Sequence, residues 1–282
     1  MSELGDARDL GDDPRILAIP WRDLLRQTRR EIAVELTISL PWLAFALGCN
    51  HLAAMRHPAW IAGSIFGSFY FFLTGLRQAH NAHHYALGLS RHATEWVLFA
   101  LSLLMVSSMH AIQATHLHHH RHCLEDEDVE ASTSHLPWYR ALLAGPAFIV
   151  ALHWHGLRLT RAKLGARRRR SAWIVAELSL IAAWGVLVFT VLDVTAFRIH
   201  FALMATGQCM TGFFAVWTVH HGCDPRQHIA RTQRGWLKNL ISYEMFFHVE
   251  HHLFPAVQTR RLPELARRLD AAAPELRGKL VF

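Results

Sequence analysis

The sequence is poor in the features that mark most soluble functional classes. Its 282 residues include four cysteines, Cys49, Cys123, Cys209 and Cys223, with no CxxC pair. That is too few for a disulfide framework and gives no iron–sulfur ligand set. No GxGxxG run occurs, so the dinucleotide-binding fingerprint is missing. Charged residues make up 18% of the chain, against roughly 25% in an average globular protein, which excludes a disordered or long coiled-coil chain. The opening MSELGDARDLGDDPR has no basic region leading into an apolar core and is not read as a signal peptide.

What the chain has instead is apolar length and histidine. Hydrophobic residues account for 52%. Ile32–Cys49 carries only Glu35, Pro58–Leu76 carries no charge, Ser171–Leu192 carries only Glu177, and Ile199–Val219 again carries none. Each is close to the ~20 residues a helix needs to cross a hydrocarbon core. Short turns, Asn50–His57 and Asp193–Arg198, join them in pairs. The pattern predicts an all-α membrane protein built on two transmembrane hairpins. Gly63 and Gly67 form a small-xxx-small pair in the second span, a spacing that lets helices pack closely but is read here as chance.

The basic residues support that topology. Segment 1–31 carries six Lys or Arg, 77–170 carries eleven and 219–282 carries ten, which leaves only Arg56 and Arg198 in the two short turns. The positive-inside rule assigns the three basic segments to the cytoplasm. The net charge of +7 is then a topology signal and calls for no nucleic acid. Residues 1–31 read as a cytoplasmic N-terminal segment, with Ile16–Leu25 as an interfacial amphipathic helix. Residues 32–270 read as one membrane domain and 271–282 as a tail. Ala93–Ile112 and Pro137–Gly156 are expected to lie in or near the cytoplasmic interface.

The 22 histidines are grouped on that predicted cytoplasmic side. The groups are His80-Asn-Ala-His83-His84, His116-Leu-His118-His119-His120-Arg-His122, the pair His220-His221, and His248-Val-Glu-His251-His252. Residues at i, i+3 and i+4 share a helix face, so each box aims two or three imidazoles at one spot. Neutral imidazole suits iron, zinc, copper or nickel rather than magnesium or calcium. Three boxes and a pair supply more ligands than one metal takes, which favours a dinuclear centre in a histidine-rich cap. His110, His135, His153, His155, His200 and His228 lack ligand spacing and read as interfacial or satisfied core histidines.

The order HxxxH, HxxHH, HxxHH, with the flanks His248-Val-Glu-His-His-Leu-Phe-Pro255 and Arg261-Leu-Pro-Glu-Leu265, resembles the membrane fatty acid desaturase family. The resemblance covers roughly residues 40–270. It implies a histidine-ligated di-iron centre, molecular oxygen as co-substrate and two external electrons used against an unactivated C–H bond. It also implies the ligands His80, His84, His116, His119, His120, His248, His251 and His252. A ninth is expected at His221, because His221-Gly-Cys-Asp-Pro225 looks like the family element before the last box. His220, Asn81, His83, His118 and Glu250 are expected to support the ligands or to be alternative ones. Asn81 stands where the family commonly has Asp. No acid or base separate from the metal centre is assigned. Glu125, Asp126, Glu127, Asp128 and Glu130 could orient ligand rings, dock a basic redox partner or form a polar turn.

The implied reaction is insertion of a C=C bond into a fatty acyl or related lipid chain. Hydroxylation, ketolation or oxidative decarboxylation of a lipid or terpenoid is the alternative on the same scaffold, and a histidine-rich metal transporter is a distant one. A transporter would place ligands at the midplane of its spans, whereas the boxes lie outside them. With no nucleotide or iron–sulfur motif in the chain, the resemblance implies a separate ferredoxin or cytochrome-type donor with its reductase.

Overall fold

The apolar runs become long helices. The computed structural model describes residues 13–161, 166–224, 229–274 and 281. Its α-helices are α1 (Pro14–Leu17), α2 (Arg29–Thr37), α3 (Leu40–Met55), α4 (Ile61–His83), α5 (Arg91–Met105), α6 (Met109–His122), α7 (Trp138–Leu143), α8 (Gly145–Thr160), α9 (Ala166–Val186), α10 (Thr195–Cys209), α11 (Thr218–His220), α12 (Trp236–Ile241), α13 (His248–Leu253) and α14 (Leu262–Ala272). Among the described residues there is no strand beyond an isolated bridge between Thr232 and Phe247.

Four helical stretches are long and apolar enough to cross a membrane: Arg29–Met55, Pro58–His83, Arg169–Val191 and Thr195–His220. They contain the four runs expected from the sequence almost entirely. The second and fourth each continue past the apolar run, so that α4 ends at His83 and the last span ends at His220. Each therefore delivers its histidines as a direct extension of a span.

The Gly63–Gly67 pair corrects the reading of chance. A Cβ at Gly67 would lie 3.0 Å from the Ala46 backbone nitrogen, and one at Gly63 would lie 2.8 Å from Cys49 Sγ. The missing side chains are what let α3 and α4 approach.

α5 and α6 form a bent pair meeting at 112°. The break lies at Val106, which adopts a left-handed conformation with φ 57°, and the Ser108 side chain then caps α6. The bend turns α6 away from the line of α5 and aims its histidines at the ends of the spans. α8 packs tightly along α6, where a Cβ at Gly156 would come within 2.5 Å of the Ala111 carbonyl.

Glu177, which interrupts the third span, is fully buried rather than reaching for a headgroup. It accepts from Ser108 Oγ at 2.6 Å and pairs with His110 Nδ1 at 2.5 Å. Ile16–Leu25 is not one helix either. α1 and a 3-10 turn at Arg22–Leu25 flank Pro20, and Ile16, Ile19 and Leu24 bury against Leu262, Leu265 and Leu269 of α14. The tail expected at 271–282 falls mostly outside the described residues, as does His228.

Candidate metal centre

Four segments converge at one end of the helices. α4 brings His80 and His84, α6 brings His116, His119 and His120, α11 ends on His220, and α13 brings His248, His251 and His252. The ligand-capable atoms of His80, His84, His116 and His251 lie within 4.8 Å of one another, as do those of His119, Cys123, His220 and His252. His120 Nε2 sits 3.2 Å from His116 Nε2 and 2.9 Å from His251 Nε2, on the first group. His248 Nε2 is 3.0 Å from His220 Nε2 and 3.2 Å from His252 Nε2, on the second. The two groups touch through His120 of the first and His252 of the second, whose ring centroids are 4.4 Å apart.

The structure thus brings together all eight expected box histidines. It places the ninth position differently. α11 ends at His220, and at His221 the backbone turns extended, with ψ 128°. His220 therefore faces the array, while His221 stacks on Trp217 at 4.2 Å and sets its Nδ1 3.3 Å from the Ser134 carbonyl. Cys123 was also missed, although it follows His119 by one helical turn, and its Sγ is 3.7 Å from His119 Nε2.

The supporting residues also sort themselves. His116 Nδ1 faces Glu130 Oε1 at 2.8 Å, His119 Nδ1 faces Asp128 Oδ2 at 2.7 Å, and His220 Nδ1 faces the Ile229 carbonyl at 2.9 Å. The acidic run after the second box therefore supplies ring-orienting carboxylates, the arrangement usual behind metal-bound imidazole. Glu250 does a different job from the one expected. It accepts from Thr232 Oγ1 at 2.7 Å and pairs with Arg234, which also holds Asp270 at 2.8 Å. It fastens α13 to α14 and holds no ligand ring.

Asn81 likewise points away from the imidazoles. Its Nδ2 donates to Glu35 at 2.8 Å, and its Oδ1 accepts from Thr259. Glu35 is buried and bound by the Arg77 guanidinium at 2.9 Å through two bonds. An Asp at position 81 would set a second carboxylate against Glu35, so the amide is what this chain's own partner requires. His83 is buried near His116, but its Nε2 has no partner. His118 lies outside the array.

These residues fit metal ions. An oxygen facing Nδ1 accepts, so the rings of His116, His119 and His220 donate there, and Nε2 is the nitrogen each turns toward the array. Those Nε2 atoms meet other imidazole nitrogens, with His116 and His84 only 3.0 Å apart, and His80 Nε2 is buried without any partner. Burial, and then neighbouring imidazoles, pushes His84, His248, His251 and His252 well below the usual imidazole range. Neutral rings with converging lone pairs repel unless a cation lies between them.

A cavity of about 540 Å³ opens from His80, His116 and His248 and is otherwise lined chiefly by apolar residues such as Phe72, Leu203 and Met204. It reaches Ile65 on α4, fifteen residues before His80 and so about 22 Å along the helix axis. Such a channel suits a long apolar chain with its reactive carbons beneath the imidazoles.

Comparison with protein families matches residues 56–281 to the fatty acid desaturase family. Comparison with curated proteins and with solved structures gives no match. The matched segment covers well over half of the chain and contains every histidine of the array. The chain belongs to the fatty acid desaturase family, and it is therefore an oxidoreductase of the desaturase/hydroxylase type with a lipid substrate.

Proposed function

We propose that the protein is an oxygen-dependent, membrane-embedded di-iron oxidoreductase that introduces a C=C bond into a fatty acyl or related lipid chain. The observation that carries this reading is the histidine array opening onto the apolar cavity. His80, His84, His116, His120 and His251 would hold one iron. His119, His220, His248 and His252 would hold the other, with Cys123 beside them. When bound, the pair of irons supplies the oxygen activation needed to take hydrogen from an unactivated carbon. The protein's part is to orient the rings of His116 and His119 through Glu130 and Asp128 and to exclude water from the cavity.

The HLFP flank of the last box favours desaturation over hydroxylation, ketolation or decarboxylation. Four spans would cross the membrane as two hairpins, with the termini and the histidine cap cytoplasmic, as the distribution of basic residues requires. Residues 32–270 would form the catalytic unit, and two electrons would arrive from a separate ferredoxin or cytochrome-type donor.

The test is metal content followed by lipid profiling. Purified wild type should carry close to two iron or zinc ions in this centre, and both His120→Ala and His251→Ala should lose them. Lipids of expressing cells should show species lacking one hydrogen pair. Gain of an oxygen atom instead would move the reaction to hydroxylation, and a centre unaffected by either substitution would end the di-iron reading.

A further inference from the structure

A second constellation of imidazoles lies on another face of α6. His118 and His122 follow His116 and His120 by two residues, about 200° around the helix axis. Their rings are 4.4 Å apart. The ligand-capable atoms of His118, His122 and Glu127 lie within 4.8 Å of one another. His155 from α8 stands against them, its ring centroid 5.3 Å from that of His118.

The hydrogen bonding around these rings is what metal ligation needs. Glu125 Oε2 holds His122 Nδ1 at 3.1 Å, and the Glu127 backbone hydrogen-bonds the His118 ring. Each ring is thereby oriented from behind by an oxygen, which leaves its other nitrogen for a cation. The Nε2 atoms of His118 and His155 are both buried and lack any partner. A merely solvated histidine patch does not explain two shielded, unmet nitrogens on facing helices, since buried polar groups are normally satisfied.

We infer that His118, His122, Glu127 and His155 form a third metal site, separate from the dinuclear centre and suited to a zinc-class divalent cation. Three imidazoles and one carboxylate match the ligand preferences and number of zinc, and are poor for magnesium. An ion there ties together α6, the loop after it and α8. The same loop supplies Asp128 to His119 and Glu130 to His116, and α8 contributes Phe148 and Leu152 to the cavity wall. The third ion thus acts as a clamp on the parts that orient the dinuclear ligands.

The test uses full-length, iron-loaded protein in detergent, equilibrated with zinc buffered at micromolar free concentration and then desalted. Zinc and iron are counted by mass spectrometry in wild type, in His118→Ala/His155→Ala and in His251→Ala. Wild type should hold one zinc more than the double variant at equal iron, and His251→Ala should keep that zinc while losing metal from the centre. Magnesium offered in place of zinc should leave no bound ion after desalting. Equal zinc in wild type and the double variant, or loss of all zinc in His251→Ala, overturns the site. Should the double variant fail to fold, Glu125→Gln provides the reading, because removing the carboxylate behind His122 should weaken zinc binding roughly 10- to 100-fold. Unchanged zinc affinity in that variant also overturns the site.

Discussion

Two buried regions of this protein use histidine in opposite ways. In the nine-imidazole array, carboxylates sit behind His116 and His119 and a carbonyl behind His220, and the Nε2 atoms of these rings meet other imidazoles. Two turns earlier on α6, His110 is fully buried with Glu177 2.5 Å from Nδ1 and Glu95 2.7 Å from Nε2, and it stacks on Trp173 at 5.2 Å. Both of its nitrogens are taken by oxygens, so the ring has nothing to offer a metal. An oxygen on one nitrogen leaves the other open to a ligand role, as at His116 and His119, whereas an oxygen on each makes a closed structural tie, as at His110. The number and placement of carboxylates, more than the imidazoles themselves, decides which role a buried histidine plays.

The largest break in this contrast should come from the array. His220→Ala should lose metal and abolish activity, while His221→Ala should retain both, as read by metal counting and product analysis on matched preparations. The reverse result would restore His221 as the ligand and refute the placement of α11.

Next in size is the closed tie. Glu177→Leu leaves His110 with one partner in a buried setting, where breaking an ion pair costs about 3–5 kcal/mol. The variant should unfold at clearly lower temperature in detergent, yet whatever fraction stays folded should keep its full metal complement. Loss of metal in proportion to stability would mean that the two regions are not separable.

A smaller effect is expected from the acids behind the ligands. Asp128→Asn should weaken metal retention against a chelator roughly 10- to 100-fold without emptying the centre. Glu250→Gln should lower stability with little change in metal affinity, because Glu250 holds a helix and not a ring.

The smallest is a pH effect on metal-free protein. His84, His248, His251 and His252 stay neutral in the fold, held down first by burial and then by neighbouring imidazoles. Unfolded imidazoles take up protons below about pH 6.5, so the unfolded chain binds more protons and stability falls as pH drops past that value. Thermal unfolding of chelator-treated protein at pH 7.5 and 5.5 should show the difference, and metal-loaded protein should show less of it.

The spans were legible because a helix that crosses a membrane must be apolar for some twenty residues, and four runs are. The box histidines were legible because helical spacing places them on one face. The choice between His220 and His221 was not, since it depends on where α11 stops, a matter of one backbone angle. Nor could the roles of Asp128 and Glu130 be read from a run of acids, because they depend on how the loop closes against α6. The role of Gly63 and Gly67 depends on how closely α3 approaches, and that of Asn81 on Glu35 beside it, neither of which local sequence encodes.

The contact between the segment that precedes the spans and α14 has a consequence for biosynthesis. Ile16, Ile19 and Leu24 pack on α14, which follows all four spans, and Arg268 of α14 pairs with Asp23 at 2.8 Å. α14 in turn holds α13 through Asp270, Arg234 and Glu250. The segment around Ile16 can therefore meet this partner only after every span between them has been made. Chains stopped before α14 should leave the segment around Ile16 open to protease, and chains that include α14 should protect it.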